Sequence, residues 1–133
     1  MARKKVNLAG IATEFPVVTA GTYHSTISAS EYVEKGDDYI KVEFTLGEDT
    51  DGNNDFEGQK QWKNYSMKDE ALFAFKRLLK DAGADDEILE GEFDPEEAIQ
   101  EFHGSGIMVR VGNTTYKDKP KSEVLGTASE NDF

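Results

Sequence analysis

The sequence contains no cysteine. Disulfides, thiolate metal sites and cysteine nucleophiles are therefore excluded, and a reducing cytoplasm is the compartment that fits. Histidine is nearly as scarce. His24 and His103 are the only two, far apart in the chain, and neither has a nucleophile or a metal-ligand partner near it in sequence. His103-Gly-Ser105-Gly lacks the glycine spacing of a nucleophile elbow and reads instead as a helix stop. No apolar run approaches the roughly 20 residues that a membrane-spanning helix needs. The charged opening Met-Ala-Arg3-Lys4-Lys5 is followed by no apolar stretch, so neither a signal peptide nor a membrane anchor is expected. No enzymatic role, no metal and no cofactor is expected from this inventory.

Positive charge is also in deficit. Fifteen Lys and Arg face 27 Asp and Glu, a formal charge of -12, which argues against coating duplex DNA through bulk basicity. Binding to a polyanion depends on the local field, however, and the charge is unevenly spread. Acids dominate from Glu31 to Glu57 and from Asp81 to Glu101, whereas bases outnumber acids from Lys60 to Lys80 and from Arg110 to Lys121. The 133 residues suffice for one domain with a real core and are too few for two ordinary ones.

Periodicity sets the expected elements. Gly21 to Ser30 reads as a first strand, with Tyr23, Ile27 and Ala29 on one face and His24, Thr26 and Ser28 on the other. Glu34-Lys-Gly-Asp is a hairpin turn. In the second strand, Ile40, Val42, Phe44 and Leu46 alternate with Tyr39, Lys41, Glu43 and Thr45, giving a buried and a wet face. Gly47 to Gly58 is a long acidic loop. Its Asp49, Asp51, Asn53 and Asp55 are spaced as in calcium loops, but the glycine comes too early and Lys60 stands where a bidentate glutamate is needed, so a solvated, mobile loop is expected. Lys60 to Met67 is a third strand, with Lys60, Trp62 and Asn64 outward and Tyr65 and Met67 inward.

The period then changes to that of a helix. Ser66 and Asp69 form a candidate capping box, Leu72, Phe75, Leu78, Leu79 and Ala82 follow at helical spacing, and Gly83 is a natural stop. Asp94-Pro95 opens a shorter helix carrying Ala98, Ile99 and Phe102. Residues 107–111 and 122–126 are a fourth and a fifth strand. Three strands, a helical insert and two strands make a mostly β protein whose order is that of an OB-fold, a five-stranded barrel with a helix between its third and fourth strands. The expected division is an N-terminal arm over 1–19, the folded domain over 20–126 and an acidic C-terminal tail over 127–133.

Two segments combine cations with rings: Lys60-Gln-Trp62-Lys63-Asn-Tyr65 and Tyr116-Lys117-Asp-Lys119-Pro-Lys121. That pairing is what a single nucleic-acid strand needs, charge for the phosphates and flat faces for the bases. Tyr39 and Lys41 extend the wet face of the second strand, Arg110 lies on the outer face of the fourth, and Arg3-Lys4-Lys5 reads first as a disordered start and second as an arm adding phosphate contacts. The tail Ser129-Glu130-Asn131-Asp132-Phe133 joins acids to a terminal ring.

Ala20-Gly-Thr-Tyr23, Tyr39-Ile-Lys-Val-Glu-Phe44, Trp62-Lys-Asn-Tyr65-Ser, Ala74-Phe-Lys-Arg-Leu-Leu79-Lys-Asp-Ala-Gly83 and Tyr116-Lys-Asp-Lys-Pro-Lys-Ser-Glu-Val124 together resemble phage-encoded single-stranded-DNA-binding proteins over residues 20–126. The resemblance implies an OB-type barrel that coats single strands without sequence preference during phage replication or recombination, in the host-cell cytoplasm. It departs from the simple pattern in the acidic loop and the net acidity. In this reading Tyr39, Lys41, Lys60, Trp62, Lys63, Arg110, Tyr116, Lys117, Lys119 and Lys121 face the strand. Glu130, Asp132 and Phe133 resemble the tails through which such proteins recruit replication or recombination proteins, the ring filling an apolar pocket and the carboxylate meeting a partner cation. A homodimer is one state open to such a barrel. The rival expectation is an acidic interaction module, an inhibitor or adaptor that mimics DNA charge, with the acids of 48–57 and 85–101 as its working surface.

Overall fold

The computed structural model describes residues 17–92 and 94–130, and only the backbone of residue 116. Five strands, β1 (Gly21–Val33), β2 (Tyr39–Asp49), β3 (Lys60–Ser66), β4 (Gly106–Tyr116) and β5 (Lys119–Ala128), are joined through a helical insert between β3 and β4. The insert holds a 3-10 turn (Asp69–Ala71) and helices α1 (Leu72–Asp81), α2 (Asp86–Glu90) and α3 (Pro95–Gln100). The strands form one antiparallel sheet in the order β3-β2-β1-β4-β5.

Alternation builds the inner face. Ile40, Val42 and Phe44 of β2 are wholly buried and Leu46 nearly so, while Lys41 is exposed and Tyr39, Glu43 and Thr45 are half-buried on the other side. Tyr23 and Ile27 from β1, Tyr65 from β3, Ile107, Val109 and Val111 from β4 and Val124 from β5 complete the strand part of the core. Against it α1 lays Phe75, Leu78 and Leu79, at the spacing of one helical stripe. Each such side chain contributes about 1.5–3 kcal/mol on burial. Leu72, expected in the same stripe, is instead 38% exposed, and Phe73 beside it is 75% exposed.

The end of α1 is fixed to the sheet by a buried carboxylate. Asp81 accepts from Arg77 Nε at 3.0 Å and from the Thr127 hydroxyl at 2.7 Å, so an acid inside the core is both charge-paired and hydrogen-bonded, as burial requires. Gly83, at φ 108°, turns the chain through the left-handed region that ends the helix. α3 begins as expected, with Asp94 accepting from the N–H groups of Glu96 and Glu97 and Pro95 in the first turn. The capping box does not form. Ser66 accepts from the Lys68 N–H at 3.2 Å, which spends its oxygen on a turn, and the chain enters α1 through the 3-10 turn without a side-chain cap.

The sheet is OB-like in its order but is not a closed barrel. Its edge strands β3 and β5 approach each other without a backbone ladder, and Ser122 donates its hydroxyl to Gln61 Oε1 across the opening at 3.3 Å. α1 packs against both edge strands, so its apolar face fills the space that a closing ladder would draw together.

The β1–β2 register also departs from simple alternation. Ile27 lies opposite Phe44 but Ala29 lies opposite Glu43, so a bulge at Ser28 puts Ser28 and Ala29 on the same, outer side. Ala29 therefore leaves the core face. The acidic loop is exposed along most of its length, as expected, and also carries bonds of its own. Asp49 Oδ1 accepts from the N–H groups of Asp51 and Asn53, both at 2.9 Å, and Phe56 packs edge-on against Tyr23 at 6.4 Å. Those N–H bonds, the one from Asn53 foremost, hold the Asp49 carboxyl below its ordinary pKa.

Strands β4 and β5 run longer than the periodic residues suggest, and the basic segment between them narrows to a two-residue turn. Lys117 and Asp118 sit at φ 51° and 63°, both left-handed, which is the geometry of a tight hairpin matched to strand twist. β5 extends to Ala128, into the stretch expected as tail. Val18, expected in the arm, is buried, and its carbonyl accepts from Asn113 Nδ2 at 2.8 Å.

Candidate nucleic-acid interface

The outer face of β2 and β3 carries the residues that stand out in sequence. Trp62 lies directly opposite Glu43, and Lys41 sits diagonally across from it, opposite Asn64. Neighbours in that diagonal relation are within reach of long side chains, and Lys41 Nζ stands 5.8 Å from the Trp62 ring centroid. Trp62 is half-buried and takes no part in the core, so its ring belongs to the outer surface. A shallow concavity of about 270 Å³ opens beside it, with Ala29, Glu31, Lys41 and Glu43 among its walls. The bulge in β1 helps to make it, since the small Ala29 side chain now faces outward.

Glu43, the acid that weighs against a phosphate-binding face, has partners of its own. It accepts from the Ser28 hydroxyl at 2.9 Å and lies 4.0 Å from Lys60 Nζ. Lys60 also donates to Thr45 Oγ1 at 2.6 Å, and Thr45 donates to Ser28 at 2.9 Å. This ring of four side chains on β1, β2 and β3 fixes Lys60 beside the concavity and offsets the charge of Glu43. With about 42% of its side chain exposed, Lys60 keeps donor positions open to solvent.

Lys63 is placed differently. Register puts it opposite Val42, on the inner parity, and its ammonium reaches out over the Tyr65 ring at 5.7 Å. It is half-buried, and its face is not that of Trp62. Burial, and secondarily the nearby Asp81 charge, push the Tyr65 phenol far above its ordinary pKa. Tyr39 lies on the outer face at the start of β2, opposite Ser66.

The hairpin lysines come to this face across the opening in the sheet. Lys121 precedes Ser122, whose hydroxyl meets Gln61, so the start of β5 stands beside the start of β3. Lys121 and Lys119 are exposed and pair with Thr114 and Tyr116 on the outer parity, and Lys117 is at the exposed tip. Arg110 is also outward and exposed, with its guanidinium held over Gly126, where a Cβ would come within 3.0 Å of Nη2. The topology thus brings Lys60, Trp62, Lys41 and the 117–121 hairpin to one side of the sheet, and it leaves Lys63 off that side. Of the tail, Glu130 lies against Gly106, while Asp132 and Phe133 fall outside the described residues, as do Arg3, Lys4 and Lys5.

Three features of this surface are not legible in the sequence. They are the diagonal approach of Lys41 to Trp62, the ring of polar side chains through Ser28, and the outward turn of Ala29. All depend on strand register, for which the only local signal is the run of small polar residues after Ile27. Among the described residues no group of three acids or histidines is placed to hold a metal ion, and no helix is long and apolar enough to cross a membrane. His103 shares a hydrogen bond of 2.8 Å with the Ser30 hydroxyl. No protein-family model matches the chain, and no curated protein matches it.

Proposed function

We propose that this protein binds single-stranded DNA, without strong sequence preference, through the outer face of β2 and β3 and the β4–β5 hairpin. The observation that carries the reading is Trp62, an indole outside the core, flanked by Lys41 at 5.8 Å and opening onto a shallow concavity. In OB-folds the face of the second and third strands and the loop between the fourth and fifth take oligonucleotides, and the open five-stranded arrangement has its cations at those places. A base stacks on the indole, Lys41 and Lys60 meet the flanking phosphates, and Lys117, Lys119 and Lys121 guide the strand across the opening.

Single strands are favoured over duplex because a stacking face needs bases that are free to splay, and because a net charge of -12 opposes any wide approach of a duplex. The work this supports is protection of exposed strands in replication or recombination, in the setting of a phage-infected cytoplasm. The segment Glu130 to Phe133, which joins acids to an aromatic ring, recruits the enzymes that act there.

The test is a fluorescence titration that follows Trp62, the only tryptophan, with short oligo-dT, oligo-rU and duplex DNA at low and moderate salt. Quenching by oligo-dT that weakens as salt rises, with little response to duplex, is the expected result. A folded protein that responds to none of the three overturns the reading in favour of an acidic interaction module.

A further inference from the structure

The helical insert presents a second surface that strand binding leaves unused. An open groove of about 560 Å³ lies between α1, α2 and the start of α3, with Leu72, Phe73, Phe75, Leu89 and Pro95 among its walls. Phe73 is 75% exposed and Leu72 38% exposed at its mouth. These are two of the four large apolar side chains that are exposed among the described residues. An exposed aromatic at the mouth of an apolar groove marks an interaction site more often than a lone surface leucine does.

The rim of the groove says what fits. Glu92 lines it and also lines an adjoining hollow of about 320 Å³, whose other walls include Glu87, Asp94, Glu97 and Glu101. Residues 85–101 hold nine acids and no base. Among the described residues that line the groove the one cation, Lys76, is engaged by Glu90 at 3.3 Å. Phosphate is repelled by such a surface, so a nucleic acid is not the occupant. A second copy docking face to face would set acid against acid, because a two-fold interface joins a patch to itself. The acidic C-terminal tail meets the same repulsion.

We infer that this groove docks a basic amphipathic segment of a partner protein, with apolar side chains in the Phe73 groove and lysines or arginines over the Glu87–Glu101 hollow. The mode is helix-in-groove, with anchors three or four residues apart and charge complementarity setting orientation and on-rate. The groove belongs to the helical layer, which packs on the inner face of the sheet, while Trp62 faces the other way. A partner held here therefore leaves the strand-binding face open.

The test uses the full chain and a fluorescein-labelled, 18-residue model helix with leucines along one face and lysines along the other. Its controls are a scrambled peptide of the same composition and a peptide with glutamate in place of lysine. The patterned basic peptide should bind at least tenfold more tightly than either control. Phe73→Ser should weaken that binding by tenfold or more, and Glu92→Lys by threefold or more. Both positions are exposed, so folding should survive, as circular dichroism would verify, and oligo-dT binding should stay within twofold. Equal binding of patterned and scrambled peptides overturns the inference, as does indifference to Phe73→Ser. Displacement of the peptide by oligo-dT through this face overturns it in favour of nucleic acid. A concentration-dependent dimer in sedimentation that Phe73→Ser abolishes overturns it in favour of a second copy.

Discussion

Replacing Trp62 by alanine separates stacking from core packing more cleanly than any other single change. A base stacked on an aromatic side chain in a single-strand site is worth about 1–3 kcal/mol. At about 1.4 kcal/mol per tenfold, Trp62→Ala should weaken oligo-dT binding by roughly 5- to 150-fold. The effect on stability follows from where the ring sits. It is half-buried on the outer face and absent from the core cluster, with Lys41 Nζ 5.8 Å from its centroid. A cation over a ring at the surface contributes about 0.5–1 kcal/mol and the covered part of the indole about 1 kcal/mol more, so unfolding should shift by about 2 kcal/mol, which for a domain of this size is roughly 8 °C. A buried tryptophan replaced by alanine would cost about 3–5 kcal/mol, roughly 10–20 °C on the same scale. Because the variant loses its own fluorophore, binding is read by anisotropy of labelled oligo-dT, and stability by thermal denaturation followed by circular dichroism. A melting temperature lowered by more than about 10 °C with affinity unchanged would refute the assignment of the ring to the binding face.

The cations should behave as phosphate contacts. Lys41→Gln is expected to flatten the slope of log affinity against log salt by about 0.7, the value for one contact on a single strand, and an unchanged slope would remove Lys41 from the interface. Thr127→Val takes away the hydroxyl that Asp81 accepts from at 2.7 Å. Leaving a buried carboxylate short of a partner costs about 1–3 kcal/mol, to be read in urea denaturation, and a loss below about 0.5 kcal/mol would show that Arg77 alone satisfies the acid. Tyr65 is raised above its unfolded value of 10.0, chiefly by burial. The neutral phenol is thus preferred in the fold, so its contribution is complete below pH 10 and is lost as pH climbs beyond it. Tyr65→Phe should therefore flatten the fall in stability above pH 10 in denaturant titrations, and an identical alkaline fall in both proteins would place the cause elsewhere.

Much of the fold is legible because its signals are periodic. The β2 alternation from Tyr39 to Leu46 and the α1 stripe of Phe75, Leu78 and Leu79 appear as expected. What escapes is set by groups distant in sequence. The bulge at Ser28 inverts the side on which Ala29 lies, and it satisfies Ser28 through Glu43 and Thr45, some 15 residues away. α2 is five residues long, below the length at which a helix sustains itself. It forms because Asp85 caps the Ile88 N–H and because Leu89 packs against the core. The closed barrel fails because closure depends on how β3 and β5 meet, which neither strand encodes alone. At the candidate interface, nearness in sequence misleads for Lys63. It adjoins Trp62 in the chain, yet strand pleat sends it to the opposite side. Lys41, twenty-one positions away, is the cation that reaches the ring.

Under the proposed function, the distribution of charge would reconcile an acidic protein with a polyanionic ligand. Screening confines exposed charges to about 8–10 Å at physiological salt, so a strand on the outer face responds mainly to Lys41, Lys60 and the hairpin lysines. The nine acids of 85–101 lie in the helical layer behind the inner face and act mostly at long range. At low salt they slow the approach of DNA from that side and turn the basic side toward it, an effect on association rate more than on the bound state. In the inference drawn for the Phe73 groove, the same acids would select a partner of opposite sign. Two ligands of opposite charge would then have no surface in common, and a protein with net charge -12 would hold a strand and a basic partner together. Neutralising acids in 85–101 should therefore raise the association rate of oligo-dT at low salt, leave its dissociation rate unchanged, and weaken the basic peptide. An effect on DNA dissociation as large as that on association would mean the two faces are not electrostatically separate.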